Sequence, residues 1–325
     1  MSSSPTRWFA SPLVIALATA VLAAALALAL VRHGGQPVVL HVGDQRGSTR
    51  SLLQSAGELN NVPYKIEWDV FPVGAPLIEA MKAGAVDFGY VGSSTMTFGL
   101  ASNAPLKAIN VWRMQGPGSG ILVRGDGAIR SLADLRGKRI AVVRGSPGHL
   151  LVIAALQKAA IPLDQVHLVF LSAGDAKAAL SSGAIDGWAI WDPYLAIGER
   201  QDHDRVLVTS DQLIREVECG VASQAAIDTK RAQLLDFIGR VRRANQWAQA
   251  HPDLAAQAYA RETGVPLEIA EIVRRRMHVD VLPAVSDEAI AVHQQAADIY
   301  AQVGLIPHRL DIAKVYDRSF VIPAN

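Results

Sequence analysis

The sequence predicts an α/β protein built as two lobes on one plan, preceded by an N-terminal apolar helix. Leu77 to Thr95, LIEAMKAGAVDFGYVGSST, is echoed by Ala176 to Tyr194, AKAALSSGAIDGWAIWDPY. Each reads as a helical turn, a glycine, Ala-Val-Asp or Ala-Ile-Asp, and a short apolar strand, with Gly84 matching Gly183 and Asp87 matching Asp186. At nearly the same offset, Arg46-Gly47-Ser48 after the run Val38 to Val42 recurs as Arg144-Gly145-Ser146 after Ile140 to Val143. Two independent matches in one register imply two units of the order strand, loop, helix, strand, helix, strand. The third observation is the uncharged run from Leu13 to Val31, long enough to span a bilayer as a helix.

Arg7 precedes that run and Arg32-His33-Gly34-Gly35 ends it. Ala27-Leu28-Ala29 offers a small-x-small cleavage site, but Leu30 and Val31 extend the apolar stretch past it. A cleaved signal and an uncleaved anchor both stay open, and either exports the chain. No cysteine stands near the run to take a lipid. The first unit is therefore residues 1–37, a signal peptide or membrane anchor with its linker.

Val38 to Val42 reads as a strand, and the loop Gly43 to Thr49 ends in Ser-Thr, good caps for a helix through Leu59. Tyr64 to Phe71 alternates as a half-buried strand and stops at the breaker cluster Pro72 to Pro76. A helix over Leu77 to Ala83 closes at Gly84, a strand runs from Val86 to Val91, and Ser94-Thr95 caps the next helix. Leu106 to Met114 is a strand, Gln115 to Gly120 a loop, and Ile121 to Val123 carries the chain towards the second lobe. Ser131 to Asp134 fits a capping box with Gly137 as its stop.

The second lobe repeats the plan with strand Arg139 to Val143, helix His149 to Ala159, strand Val166 to Leu171, helix Asp175 to Leu180 and strand Ile185 to Ile190. Asp192-Pro193 ends that last strand. After a short strand Val206 to Thr209, Glu216 to Ser223 reads as the return crossing, and the remainder reads as helical, with Leu234, Ile238, Val241 and Ala248 at helical steps. The expected lobes are 38–122 with 222–325, and 123–221, so the first is discontinuous.

The 325 residues are half apolar with net charge +1, enough for a core in about two domains. A balance this near neutral argues against nucleic acid or an anionic membrane surface as partner. One cysteine, Cys219, leaves no intrachain disulfide or thiolate metal cluster. The histidines are scattered, and no metal-ligand or nucleophile-elbow pattern is present, so the sequence offers no catalytic residues, no metal site and no cofactor. Asp202-His203-Asp204 sits in a polar loop and reads as solvated surface. Arg274-Arg275-Arg276 reads as a helix face near a C-terminal end, where cations suit the dipole.

In open α/β sheets the ligand site lies beyond the carboxyl ends of the strands, at helix N-termini. Those loops are Gly43 to Ser48 and Gly92 to Thr95 in one lobe, and Arg144 to His149 and Trp191 to Tyr194 in the other. Four such loops from two lobes describe a cleft. Arg46 with Gln45, Ser48 and Thr49, and Arg144 with Ser146 and His149, suit a small anion, held by helix N-termini at about 0.3 to 1 kcal/mol each and by charged hydrogen bonds at about 1.5 to 3. Trp191 and Tyr194 offer an apolar wall. Asp192 has three readings: it pairs with an arginine, orients a loop, or receives a ligand ammonium.

These residues resemble the periplasmic substrate-binding proteins of ABC importers for aliphatic sulfonates, relatives of the taurine- and nitrate-binding proteins. The resemblance covers about Val38 to Val321 and rests on Leu77 to Gly92, Ser131 to Ser146 and above all Asp186 to Tyr194, DGWAIWDPY. It implies a bilobal periplasmic binding protein of type II-like fold, with two α/β lobes closing on a small anionic or zwitterionic ligand and docking, as a monomer, on a permease in the inner membrane. The ligand-contacting loops of the family fall on Gln45 and Arg46, Ser93 and Ser94, Ser146 to His149, and Trp191 with Asp192. Where relatives often carry an acidic residue and prolines after the Val-Asp-Phe-Gly strand, this chain has Ser93-Ser94-Thr95. The expected ligand is an organosulfonate of alkanesulfonate type. Taurine, nitrate or a thiamine-precursor pyrimidine compete for the same cleft, and an enzyme or a membrane-tethered ligand sensor on the same fold are the other classes. The expected location is the periplasm, with a tether over residues 13–31 if the leader is kept.

Overall fold

A computed structural model describes residues 37–46, 48–276 and 278–323. The apolar helix expected over Leu13 to Val31 lies outside these residues. Among the described residues no helix is long and apolar enough to cross a membrane.

The first repeat unit forms β1 (Val39–Gln45), α1 (Ser48–Ser55), β2 (Lys65–Phe71), α2 (Gly74–Lys82) and β3 (Phe88–Gly92). After α3 (Ser93–Ala101) and β4 (Leu106–Gln115) the chain crosses to β5 (Ser119–Val123). The second unit forms β6 (Arg139–Val142), α4 (Pro147–Lys158), β7 (His167–Phe170), α5 (Ala173–Ser181) and β8 (Gly187–Trp191). There follow α6 (Tyr194–Arg200), β9 (Arg205–Thr209), β10 (Val217–Ser223), α7 (Gln224–Thr229), α8 (Arg231–Ala250), α9 (Pro252–Thr263), α10 (Leu267–Arg276), β11 (His278–Val281) and α11 (Asp287–Gln302).

One sheet has the order β11-β4-β10-β3-β1-β2 and the other β7-β6-β8-β5-β9. In each, the three strands of the repeat pair in parallel with the unit's first strand in the middle. A strand from the other side of a crossing then adds antiparallel beside the third, β10 on β3 and β5 on β8. The boundary expected after Leu122 therefore falls inside β5, which belongs wholly to the second sheet. The one expected after Val221 falls inside β10, which belongs to the first. The sequence places both crossings too late because an apolar strand reads alike in either sheet, and only pairing assigns it.

Glycine closes the second helix of each unit. Gly84 and Gly183 adopt φ of 75° and 74°, the left-handed conformation that favours glycine after a helix. Both sheets are covered on two faces, which is why central strands such as β8, GWAIW, read as unbroken apolar runs. In the first lobe Leu40, Val42 and Phe88 pack with Phe237 and Val241 of α8 on one face. Leu77, Met81 and Val111 pack with Ile290 and Ala297 on the other. In the second lobe Ile140 and Val142 pack under α4, and Trp188 and Ile190 under α5 and α6. Each large side chain buried this way contributes about 1.5 to 3 kcal/mol.

The C-terminal section is not entirely helical as expected. β11 adds a four-residue edge strand, His-Val-Asp-Val, antiparallel to β4, and four alternating residues between helices are too short to register as a strand period. The first helix also stops at Ser55 rather than Leu59. Two clusters join the lobes. Leu150 and Ile153 of α4 meet Tyr300 and Ala296 of α11, and Ala196 of α6 meets Ile269 and Val273 of α10.

Candidate functional site

Between the lobes lies a cavity of about 870 Å³, lined from both sides. Gln45, Arg46, Ser146, Trp191 and Asp192 all line it, so Arg46 and Trp191 share one recess. Arg46 donates through Nη1 to the Tyr194 hydroxyl of the opposite lobe and lies 5.2 Å from that ring's centroid.

Ser93, Ser94 and His149 do not reach the cavity: each is 0% exposed. Ser94 Oγ instead donates to Glu216 Oε1 at 2.6 Å, and Thr97 Oγ1 donates to the Ser93 carbonyl. The His149 ring sits among Phe98, Phe170 and Tyr300, where Nδ1 accepts the Gly145 N–H at 3.2 Å. Burial, with the Arg144 charge adding to it, pushes His149 down to about 4, so it is neutral at pH 7. These three residues support the loops from behind.

The two echoed loops are not equivalent. At the start of α1 the backbone N–H groups of Thr49 and Arg50 donate to the buried carboxylate of Asp44 at 3.0 and 2.9 Å. That helix end is occupied by the chain's own anion and does not present its dipole to a ligand, contrary to the sequence expectation. In the second lobe the cap is neutral: Ser146 Oγ accepts from His149 N–H, and Pro147 takes the first position. The end of α4 presses close to β8, since a Cβ on Gly148 would stand 2.6 Å from the Ala189 carbonyl oxygen. Arg144 stacks over Phe170, its guanidinium carbon 3.8 Å from the ring centroid.

Asp192 combines two of the roles left open for it. Its Oδ1 accepts the Ala196 N–H at 3.0 Å, capping α6, and faces Arg276 at 3.6 Å. Burial raises it to about 6, against the pull of Arg276.

Charged lining residues beyond the strand-end loops escape the sequence reading. Glu216 stands immediately before β10 and Glu218 is its second residue, and both line the cavity. Burial lifts Glu216 to about 7, and burial with the Glu216 charge nearby lifts Glu218 to about 8. Their i, i+2 spacing at the start of an apolar strand was the available signal. Arg274 lines the cavity over Tyr259, 5.4 Å from its ring centroid. The arginine triplet does end a helix, as expected, but Arg274 and Arg276 face inward because α10 docks on α6, a tertiary contact that no local pattern encodes.

A protein of Escherichia coli (strain K12) named an aliphatic sulfonates-binding protein is 29% identical over 280 residues, 85% of this chain and 88% of that one. The alkanesulfonate-binding protein SsuA from Xanthomonas axonopodis pv. citri, solved bound to MOPS, matches with a TM-score of 0.80 at 27% identity, over 88% of this chain and 100% of that one. The periplasmic aliphatic sulphonate binding protein SsuA from Escherichia coli matches with a TM-score of 0.77 at 28% identity, over 86% and 97%. The fold is that of the periplasmic binding proteins. A family model described as NMT1/THI5 like spans residues 72–255, more than half of the chain, and the chain belongs to that family.

Proposed function

We propose that the protein is the extracytoplasmic solute-binding component of an ABC importer, which captures a small organosulfonate between its lobes and delivers it to a permease. The observation that carries this is the interlobe cavity, with Gln45 and Arg46 from one lobe facing Ser146 and Trp191 from the other. The likeness to sulfonate-binding proteins over most of the chain supports the choice of ligand. In this reading Arg46 and Ser146 bond the sulfonate, Trp191 covers the carbon chain, and Ser93, Ser94 and His149 hold the loops in place. The lobes are units 39–115 with 217–323, and 119–209, and the protein works as a monomer in the periplasm. The run Leu13 to Val31 serves as export leader or as tether, and N-terminal sequencing of exported protein distinguishes the two.

Thermal denaturation with added ligands tests the proposal. Alkanesulfonates are expected to raise the melting temperature by mass action on the folded state. If they leave it unchanged while nitrate or a pyrimidine raises it, the sulfonate assignment is lost.

A further inference from the structure

Glu218 lines the cavity with no cation or hydrogen-bond donor on its carboxyl among the described residues. It pairs with Gly92 on β3 and Trp112 on β4, so no side chain flanks it on the β3 side. The room that Gly92 leaves is shared by the Glu218 carboxyl and the Pro147 ring of α4. A Cβ on Gly92 would stand 3.9 Å from Glu218 Oε2 and 3.5 Å from that ring. Ser146, next to Pro147 and only 3% exposed, caps α4 and lines the same cavity. The carboxyl therefore lies at the helix end where the sulfonate is placed above.

The cations of the cavity are engaged elsewhere. Arg113 of β4 and Arg215 of the crossing face Glu288 of α11, Arg144 lies over Phe170 and Arg274 over Tyr259, and Arg46 reaches Tyr194. On the elements packed around Glu218, His149 of α4 is neutral, the Tyr90 hydroxyl of β3 donates to Asn110, and Cys219 of β10 turns to His293 and Tyr316. What remains beside Glu218 is Glu216, whose own carboxyl accepts the Ser94 hydroxyl at 2.6 Å. Burial and this second carboxylate hold Glu218 up at about 8, so it carries its proton at pH 7.

Two anions side by side in a dry cavity repel, whereas an undissociated carboxyl gives its hydrogen to an anion's oxygen. We propose that Glu218 binds the ligand as an acid, donating its carboxyl hydrogen to an oxyanion oxygen at the Ser146 end of the cavity, so that ligand and proton are captured together. Where Glu218 is ionised beforehand, the proton moves from solvent onto its carboxylate oxygen and no other bond changes. The inference rests on the sulfonate reading and adds a third donor to Arg46 and Ser146. Other groups near the cavity titrate outside the range from pH 7 to 9: Asp192 is held at about 6 and His149 at about 4, and Cys219 and Tyr259 are pushed up to about 12.

Calorimetric titration of the purified protein with ethanesulfonate, at pH 7 and pH 9 in sulfonate-free buffers of different ionisation enthalpy, tests it. Binding at pH 9 is expected to be about tenfold weaker than at pH 7 and to take up close to one proton per ligand, which the dependence of the heat on the buffer counts. Glu218→Met, apolar and of similar length, should weaken binding at pH 7 about tenfold, the scale of one charge-assisted hydrogen bond. Glu218→Gln, whose amide still donates, should recover most of that loss, and neither variant should take up a proton. Equal affinity at both pH values with no proton taken up, a Met variant that binds as tightly as the Gln variant, or uptake that survives both variants overturns the inference and leaves the sulfonate reading standing. Failure of ethanesulfonate and of longer alkanesulfonates to bind at either pH overturns both.

Discussion

Arg276 Nη1 stands 3.6 Å from Asp192 Oδ1, so the last residue of a helix that packs back through α9 on the first lobe faces the cap of a helix in the second. The Asp192 side chain is 1% exposed and that of Arg276 19%, so the pair is largely dry. Removing the cation strands a buried carboxylate, whereas removing the carboxylate's charge leaves Arg276 with Glu199. Arg276→Ala should therefore cost about 3 kcal/mol. Asp192→Asn, which keeps an oxygen for the Ala196 N–H, should cost about 1 kcal/mol. Urea unfolding of both variants checks the order; the opposite ranking contradicts the assigned roles.

The Arg46–Tyr194 hydrogen bond links the rims of the two lobes. A partly exposed contact of this kind contributes about 0.5 to 1.5 kcal/mol, available only when the lobes are closed. Tyr194→Phe keeps the ring under the guanidinium and removes the hydroxyl. Ligand affinity should drop about three- to tenfold, chiefly through faster dissociation, with little change in the melting temperature of the ligand-free protein. Stopped-flow release kinetics measure this, and an unchanged dissociation rate shows that the contact does not help hold the closed form.

Local spacing carried the repeat. Gly84 with Asp87 and Gly183 with Asp186 marked equivalent helix ends and strand starts, and β2-β1-β3 and β7-β6-β8 occupy the same places in their sheets. What depended on distant partners was not legible. Val217–Ser223 looks like any apolar strand until it pairs with both β3 and β4. The cavity followed the same division: Arg46, Ser146 and Trp191 sit at strand ends, where topology alone predicts a site. Ser94 and His149 sit in the same loops but turn inward, a choice made by packing against Glu216, Phe98 and Tyr300. Arg274 lies far along the chain, on a helix whose inward face is set only by docking on α6.

Titration of the cavity sets a pH dependence with a definite sign. Glu216 and Glu218 are raised from 4.5 to about 7 and about 8. Between these limits the folded state holds more protons than the unfolded chain, so stability falls as pH rises through that window. His149, lowered from 6.5 to about 4, and His293, lowered to about 3, act in the other direction: below 6.5 the unfolded chain binds more protons and stability falls as pH falls. The ligand-free protein should melt lower at about pH 8 than at about pH 6.5. The double variant Glu216→Gln, Glu218→Gln should flatten that slope without altering the acid limb. A slope that survives the double variant assigns the alkaline loss to other groups.

The echoed aspartates test whether the repeat is scaffold or site. Asp87 Oδ2 accepts the His41 N–H at 2.8 Å while its own N–H donates to the His41 carbonyl at 2.9 Å. Asp186 does the same with Arg139, at 2.8 Å for both bonds. Each carboxylate thus clamps the first strand of its unit to the start of the third, and each has a cation beside it, Lys230 for Asp87 and Arg139 for Asp186. Neither aspartate lines the cavity. Asp87→Ala and Asp186→Ala should each cost about 2 kcal/mol, the scale of hydrogen bonds to a charged group. The loss should be larger at Asp87, whose side chain is 14% exposed against 30% for Asp186, because its lost partner leaves the neighbouring groups less access to water. Ligand affinity of the folded variants should be unchanged. If either variant lost binding while keeping its unfolding midpoint, the most recognisable motif in the chain would belong to the site after all.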